Sequence, residues 1–348
     1  MAYTTINKSS LHMNTKLYNG NGTTNTTISG IGMQPDWTWL KSRSAADSHM
    51  LIDIVRGTGK YLQSQNANVE ANSGETVKSW NSDGFVLGND GNVNDNGKTY
   101  VAWNWKAGGS QGSSNTAGSI NTTYTSVNTT AGFSISSYTG TGSNATVGHG
   151  LGSGNIPKMI ILKGRSSDEP WNVYHVTLGN TKKLTLQVPS SVATNTTWNN
   201  TTPTSSVFSI GSGGDSNGNN ITYVAYCFAE KIGYSKFGSY TGNGNANGTF
   251  VYTGFKPAFI MIKRTDANAS WDIRDNKRKP FPDGNAKKLF PDGDSAEISN
   301  SEVIEKLSNG FKIRTTGAEN NANNGNYIYM AFAEAPLVGT NNVPCTAR

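Results

Sequence analysis

The sequence predicts an all-β protein made of three copies of one domain. Two observations carry the class. Short runs of β-branched and aromatic residues alternate with Gly, Asn and Ser clusters, the pattern of strands joined by tight turns. No heptad stretch and no long Leu/Ala/Glu/Lys block occurs, so helices should be scarce. A third observation carries the number: the run YVAWNWKA at 100–107 returns as YVAYCFAE at 223–230 and as YIYMAFAE at 327–334. At 348 residues the chain is long for one domain, and its 8 Trp, 14 Tyr and 12 Phe supply several cores where the polar composition alone could suggest disorder.

The elements keep one order in each copy. Each opens on a glycine turn: YNGNG (18–22), YTGTG (138–142) and YTGNG (240–244). Asn and Gly accept the positive φ that tight turns demand. A proline then introduces an apolar run ending in lysine: QPDWTWLK (34–41), IPKMIILK (156–163) and KPAFIMIK (256–263). Pro35, Pro157 and Pro257 suit the start of a strand, where a missing N–H costs little. Trp37 and Trp39, Met159 and Ile161, and Phe259 and Met261 each share a face by the period of two. In the second and third copies the opposite face is apolar as well, so this strand should be covered on both sides. Next come SDGFVLG (82–88), SSVFSIG (205–211) and SNGFKIR (308–314), aligned on Phe85, Phe208 and Phe311.

The run that revealed the repeat closes each copy. Val101, Trp103 and Trp105 lie on one face, matched by Val224, Tyr226 and Phe228 and by Ile328, Met330 and Phe332. The middle position changes among Trp, Tyr and Met, holding only bulk. That is the behaviour of a core strand rather than of a sugar platform. From proline to Phe is 50, 51 and 54 residues, and from Phe to the closing Tyr 15, 15 and 16. The expected organisation is a first repeat at 1–109, a Gly/Ser/Thr/Asn-rich linker at 110–131, a second repeat at 132–232, a third at 233–337 and a tail at 338–348. The linker reads as flexible or extended, with room for one strand in SINTTYTSV. The first repeat is thus expected to stand apart, and the second and third to pack as a pair.

Charge and chemistry exclude several classes. The net charge of +6 is mild and scattered, with its densest cluster at Lys277, Arg278 and Lys279, which argues against nucleic acid as a partner. No run approaches the ~18 apolar residues of a membrane span. Cys227 and Cys345 make no disulfide framework. Gly97-Lys98-Thr99 fails as a phosphate loop: five residues, not four, separate Gly91 from Gly97, and a strand follows. His12, His49, His149 and His175 have no metal-ligand spacing. Asp283, Asp292 and Asp294 read as Pro-Asp-Gly turns rather than a calcium loop. Asp and Glu do not recur at matched positions, apart from Glu230 and Glu334. No catalytic residue, cofactor or metal is expected. Trp80 in VKSWNSD and Trp198 in TNTTWNNTT are the candidate ligand-binding residues, as loop aromatics for a sugar.

Taken together, TKLYNGNG, QPDWTWLKSR, SWNSDGFVLG, YVAWNWKAG, GFSISSYTGTGSNATVGHGLG and YVAYCFAEKIGYSKFGSYTGNGNANG resemble the repeated β-domains of marine bacteriophage structural, tail-fibre-like proteins. The resemblance runs through nearly the whole chain. It implies tandem jelly-roll or concanavalin-like β-sandwiches and a non-enzymatic protein of the virion surface, made in the bacterial host cytoplasm. It also implies partners among other virion proteins and a symmetric homo-oligomer, a trimer by expectation. A second reading is a lectin-like adhesin for host surface glycan. The family lends no catalytic or ligand residues.

Overall fold

The computed structural model describes residues 3–278, 286–300 and 303–339. The chain is all-β, and among the described residues each α-helix is a single turn. In each repeat the first strand pairs with the last, which pairs with the post-proline strand, which pairs with a short fourth strand, all antiparallel. In the first repeat these are Met13–Asn19, Thr99–Trp105, Trp37–Ser42 and Met50–Asp53. In the second they are Phe133–Thr139, Thr222–Ala229, Pro157–Gly164 and Asn172–His175. In the third they are Ser235–Thr241, Asn326–Pro336, Phe255–Arg264 and Asp272–Asp275. A smaller sheet around the Phe strand makes a second layer: Gly84–Leu87, Val207–Ile210 and Gly310–Arg314 pair with Thr26–Ile28, Ala145–Gly148 and Phe250–Tyr252.

Both faces of the main sheet are apolar because they serve two different cores. Leu40, Ile160 and Ile260 face the second layer of their own repeat, each in a separate cluster. Trp37, Met159 and Phe259 face the other way, into one core that all three repeats share. The centre of that core is a triangle of matched residues from the closing strands. Trp105 and Phe228 have ring centroids 6.4 Å apart, Phe228 and Phe332 6.0 Å, and Trp105 and Phe332 5.8 Å. All three pairs are edge-to-face, the geometry that aromatic quadrupoles favour. Trp37 stacks on Tyr226 at 4.4 Å, and Trp103 meets Phe259 at 6.1 Å, joining the first repeat to each of the others. The repeats therefore close around a pseudo-threefold axis. The first does not stand apart, and the double burial expected of the post-proline strand is satisfied within one chain.

Residues 110–131 are no free tether. Tyr124–Asn128 forms a strand on the edge of the second repeat's sheet, and Ile120 is buried and bridges to Val147. A Cβ on Gly112 would sit 1.9 Å from Thr125 O, so the glycine permits close backbone approach rather than flexibility.

The turns carry a motif that recurs in all three copies. A helical turn precedes the closing strand: Gly91–Asn94, Gly214–Asn217 and Ala318–Asn321. Its last residue is a buried asparagine whose side chain accepts the N–H of Asn21, Thr141 or Asn243 in the opening turn, at 3.1, 2.8 and 3.0 Å. Tyr18 stacks on Tyr100, Tyr138 on Tyr223 and Tyr240 on Tyr327, at 5.2, 5.1 and 4.8 Å. The two glycines of each opening turn have different jobs. Gly22, Gly142 and Gly244 adopt φ of 69°, 72° and 64°. Gly20, Gly140 and Gly242 admit the carbonyls of Asp95, Gly218 and Ala322, which a Cβ would meet at 2.1–2.4 Å.

Candidate functional site

The chemistry-bearing side chains gather at the three seams between repeats, on threefold-related positions. One contact is repeated around the ring. Trp171 Nε1 of the second repeat donates to Gln63 O of the first at 2.9 Å, and Trp271 Nε1 of the third donates to Thr185 O of the second at 3.0 Å. His49 Nε2 of the first meets Phe290 O of the third at 2.9 Å. A backbone bond recurs with it: Glu70 N to Arg165 O, Val192 N to Thr265 O and Glu297 N to Arg43 O, at 2.8, 2.9 and 2.8 Å.

Around this backbone frame two seams are charged. At the first/second seam, Asp53 binds Arg56 on its own turn and accepts Tyr226 O–H of the second repeat at 2.7 Å. Glu70 pairs bidentately with Arg165 at 2.9 Å. At the third/first seam, Asp275 binds Arg278 and accepts Trp103 Nε1 at 3.0 Å, and Arg43 pairs bidentately with Glu297 at 3.0 Å. The Arg278 guanidinium lies over the Trp103 ring at 5.3 Å. Burial alone would raise the carboxyl pKa of Asp275, but the Arg278 charge outweighs it and holds the group below the usual range. The same balance lowers Glu70, against burial, through Arg165 and Arg56.

At the second/third seam the matched positions are His175, Leu178, Val192, Thr265 and Met330. His175 Nε2 meets Tyr329 O at 3.2 Å while Nδ1 accepts Thr177 N. Burial pushes its pKa down to about 4. A shallow cleft opens over this seam beside Pro189, Arg264 and Glu319.

Behind each seam sits the lysine that ends the post-proline strand. Lys41, Lys163 and Lys263 are fully buried and donate to backbone carbonyls: Ser42 and Ala45, Gly164, and Pro189 and Ala269. Burial brings each amine down to about 8, against the pull of nearby carboxylates such as Asp47, Asp168 and Asp292.

These groups are committed to holding the fold. His49 accepts Trp39 Nε1 on Nδ1 at 2.8 Å, so its Nε2 carries the proton given to Phe290 O. His149 accepts Leu151 N on Nδ1 and faces Thr204 O with Nε2. Both ring nitrogens of these two histidines, like those of His175, are occupied, which leaves none of the three a lone pair for general-base work. Cys227 is buried, and burial pushes its thiol up, away from the reactive thiolate.

The two sequence candidates lie elsewhere and apart from each other. Trp198 is 1% exposed and packs edge-on to Tyr174 at 5.7 Å inside the second repeat's own core. The flanking Asn199 and Asn200, both at φ 47°, fold the loop so that the ring turns inward. Trp198 is therefore a core residue, and the expectation of a sugar platform there is corrected. Trp80 is half-buried against the first repeat's core, on the strand Val77–Asn81. Asp292 is half-buried and accepts Trp271 N at 3.0 Å, a turn role. Asp283 and Cys345 lie outside the described residues. Among the described residues no group of three or more His, Cys, Asp or Glu is placed to hold a metal ion, and no helix is long and apolar enough to cross a membrane.

The seam residues were missed by sequence reasoning, although Asp-x-x-Arg occurs at 53–56 and again at 275–278 in matched register. The second copy breaks the pattern with His175 and Leu178, which hid it. The model of one family, described as a domain of unknown function (DUF7483), matches residues 8–336. No curated protein and no solved structure matches the chain.

Proposed function

The chain belongs to the DUF7483 family, and we propose that it is a non-enzymatic structural protein of a bacteriophage virion surface, tail-fibre-like or decorating the capsid. The resemblance of its repeats to phage structural domains motivates the reading. The observation that carries it is the closed ring: the Trp105, Phe228 and Phe332 triangle and three matched seams, which turn their own aromatic and charged side chains inward. What remains outside is a stiff, turn-rich β shell, suited to a particle surface. In this reading each repeat is a small jelly-roll-type sandwich. The partners are other virion proteins and further copies of the chain in a symmetric assembly, with a trimer the first arrangement to test. The second apolar face of the post-proline strand is covered within the chain, so assembly contacts belong on the outer layers, where Phe250 and Tyr252 are exposed. Structural use is favoured over the adhesin reading because Trp198 offers no ring face to a glycan.

An antibody against the chain, applied to purified particles of the source phage and imaged by electron microscopy, tests this. Regular labelling on head or tail supports it. Unlabelled particles, with the chain found only in infected-cell lysate, would refute it. A glycan array with the purified chain separates the adhesin reading, which requires specific retention.

A further inference from the structure

One cluster is used neither by the seams nor by the shared core. In the second repeat, Asn172, Lys183 and Asp215 converge on the sheet face that looks away from the pseudo-threefold axis. Asn172 and Tyr174 share that face, and the helical turn Gly214–Asn217 covers it. Lys183 Nζ lies 2.9 Å from Asn172 Oδ1 and 2.7 Å from Asp215 Oδ2. Asn172 is fully buried, and its Nδ2 donates to Asp215 O at 2.7 Å and Pro170 O at 3.2 Å. Asp215 Oδ2 also accepts the Thr197 hydroxyl at 2.9 Å. An amine, a carboxamide carbon and a proton acceptor are thus held together by three separate elements.

We infer that Lys183 and Asn172 condense to an intramolecular isopeptide crosslink, with Asp215 carrying the proton. Asp215 Oδ2 takes a proton from the Lys183 ammonium. The freed amine turns from Oδ1 onto Cγ, and a C–N bond forms as the carbonyl becomes tetrahedral. The Cγ–Nδ2 bond then breaks and the carbonyl re-forms. Nζ sheds two hydrogens in all: one completes ammonia on Nδ2, and the other leaves with it as ammonium. Nothing is oxidised or reduced. A carboxamide is a poor electrophile in water, so the step relies on fixed proximity, which can stand in for very high effective concentrations.

The matched positions explain why only this repeat is poised. The third repeat has Asp272, Lys288 and Glu319 there, with Lys288 Nζ donating to Glu319 at 2.6 Å. Its Asp272 is gripped by Arg274 at 2.7–3.1 Å and by Asn320, and these hold its pKa low against burial. A carboxylate anion is not attacked by an amine. In the second repeat the place of Arg274 is taken by Tyr174. The first repeat has Met50, Tyr61 and Asn92, which lack the amine. The crosslink would fasten the hairpin that supplies Thr185 O and Val192 N to the third repeat. At that seam the positions of Arg165 and Glu70 are held by Thr265 and Val192, which form no ion pair.

Intact-mass analysis and tryptic mapping of the purified full-length chain, fresh and aged in mildly alkaline buffer, test the inference. The expected result is a species lighter by one ammonia, with Asn172 linked to Lys183 and no cleavage after Lys183. Lys183→Arg and Asp215→Asn should keep the full mass with unchanged circular dichroism. Wild-type protein that stays at full mass overturns the inference whether or not the variants fold. Ammonia loss that persists in Lys183→Arg overturns it too, because it then reports succinimide formation at an asparagine. A crosslink that still forms in Asp215→Asn removes Asp215 from the chemistry.

Discussion

At the seam between the first and second repeats, Asp53, Arg56 and Tyr226 form a buried polar cluster; at the seam between the second and third, the same three positions hold His175, Leu178 and Met330. Arg165 and Glu70 become Thr265 and Val192 in the same comparison. The backbone frame does not change: a ring N–H reaches a neighbouring carbonyl, and a strand N–H reaches another, at every seam. Position is thus set by the main chain and the central aromatics, while the side chains need only be satisfied among themselves. This is the behaviour expected where a buried ion pair and a well-packed apolar set are near alternatives in energy.

The largest effect should come from breaking a charged seam halfway. Asp53→Ala leaves buried Arg56 with Glu70, 3.2 Å away, as its remaining carboxylate and should cost about 3 kcal/mol in urea unfolding. Transplanting the apolar seam instead, as Asp53→His with Arg56→Leu and Tyr226→Met, should recover most of that loss. A triple variant as unstable as the single one would break the comparison.

Acid should separate the seams next. The folded pKa of His175, about 4, lies below its ordinary 6.5. The unfolded chain therefore takes up the proton first, and stability present above pH 6.5 is lost as pH falls toward 4. The shift allows a loss of roughly 3 kcal/mol. His149 is lowered too and adds to the slope, and His49 loads the third/first seam in the same way, whereas Glu70 holds the first/second seam until lower pH. Hydrogen exchange at pH 5 should quicken around Thr185 and Trp271 and around Phe290 before it does at the first/second seam, which has no histidine in its frame, and His175→Gln should flatten the slope. Simultaneous opening of all three seams would argue against the distinction.

The three lysines should behave alike. Their folded pKa of about 8 lies below 10.5, so the burial penalty is complete below pH 8 and is relieved as pH rises toward 10.5. Each should contribute a gain of about 2 kcal/mol between pH 8 and 10, and Lys→Met variants should lose it equally in all three repeats. Tyrosines raised by burial, such as Tyr100 and Tyr223 at about 12, act with opposite sign above pH 10. The smallest effect belongs to Arg165→Thr, which removes the partly exposed pair with Glu70, leaves Glu70 its contact with Arg56, and should cost about 1 kcal/mol by thermal unfolding.

The strand order within each repeat and the burial of the closing run were legible because aromatic bulk and period-two patterning recur at fixed spacing. The shared core was half legible. Two apolar faces on the post-proline strand demanded two partners, but whether the second partner lay in the same chain depends on long-range closure that no local pattern records. The seams were illegible for a different reason: their polarity is not repeated, only their geometry. Trp198 misled because a tryptophan among asparagines reads as a loop tip, and the inward turn at Asn199 and Asn200 exists only in the backbone angles.

Calorimetry of the full chain at neutral pH tests the closed ring most directly. Three repeats around one core should unfold in a single transition whose calorimetric and van't Hoff enthalpies agree. Separate transitions, with residues 132–232 folded when produced alone, would contradict it.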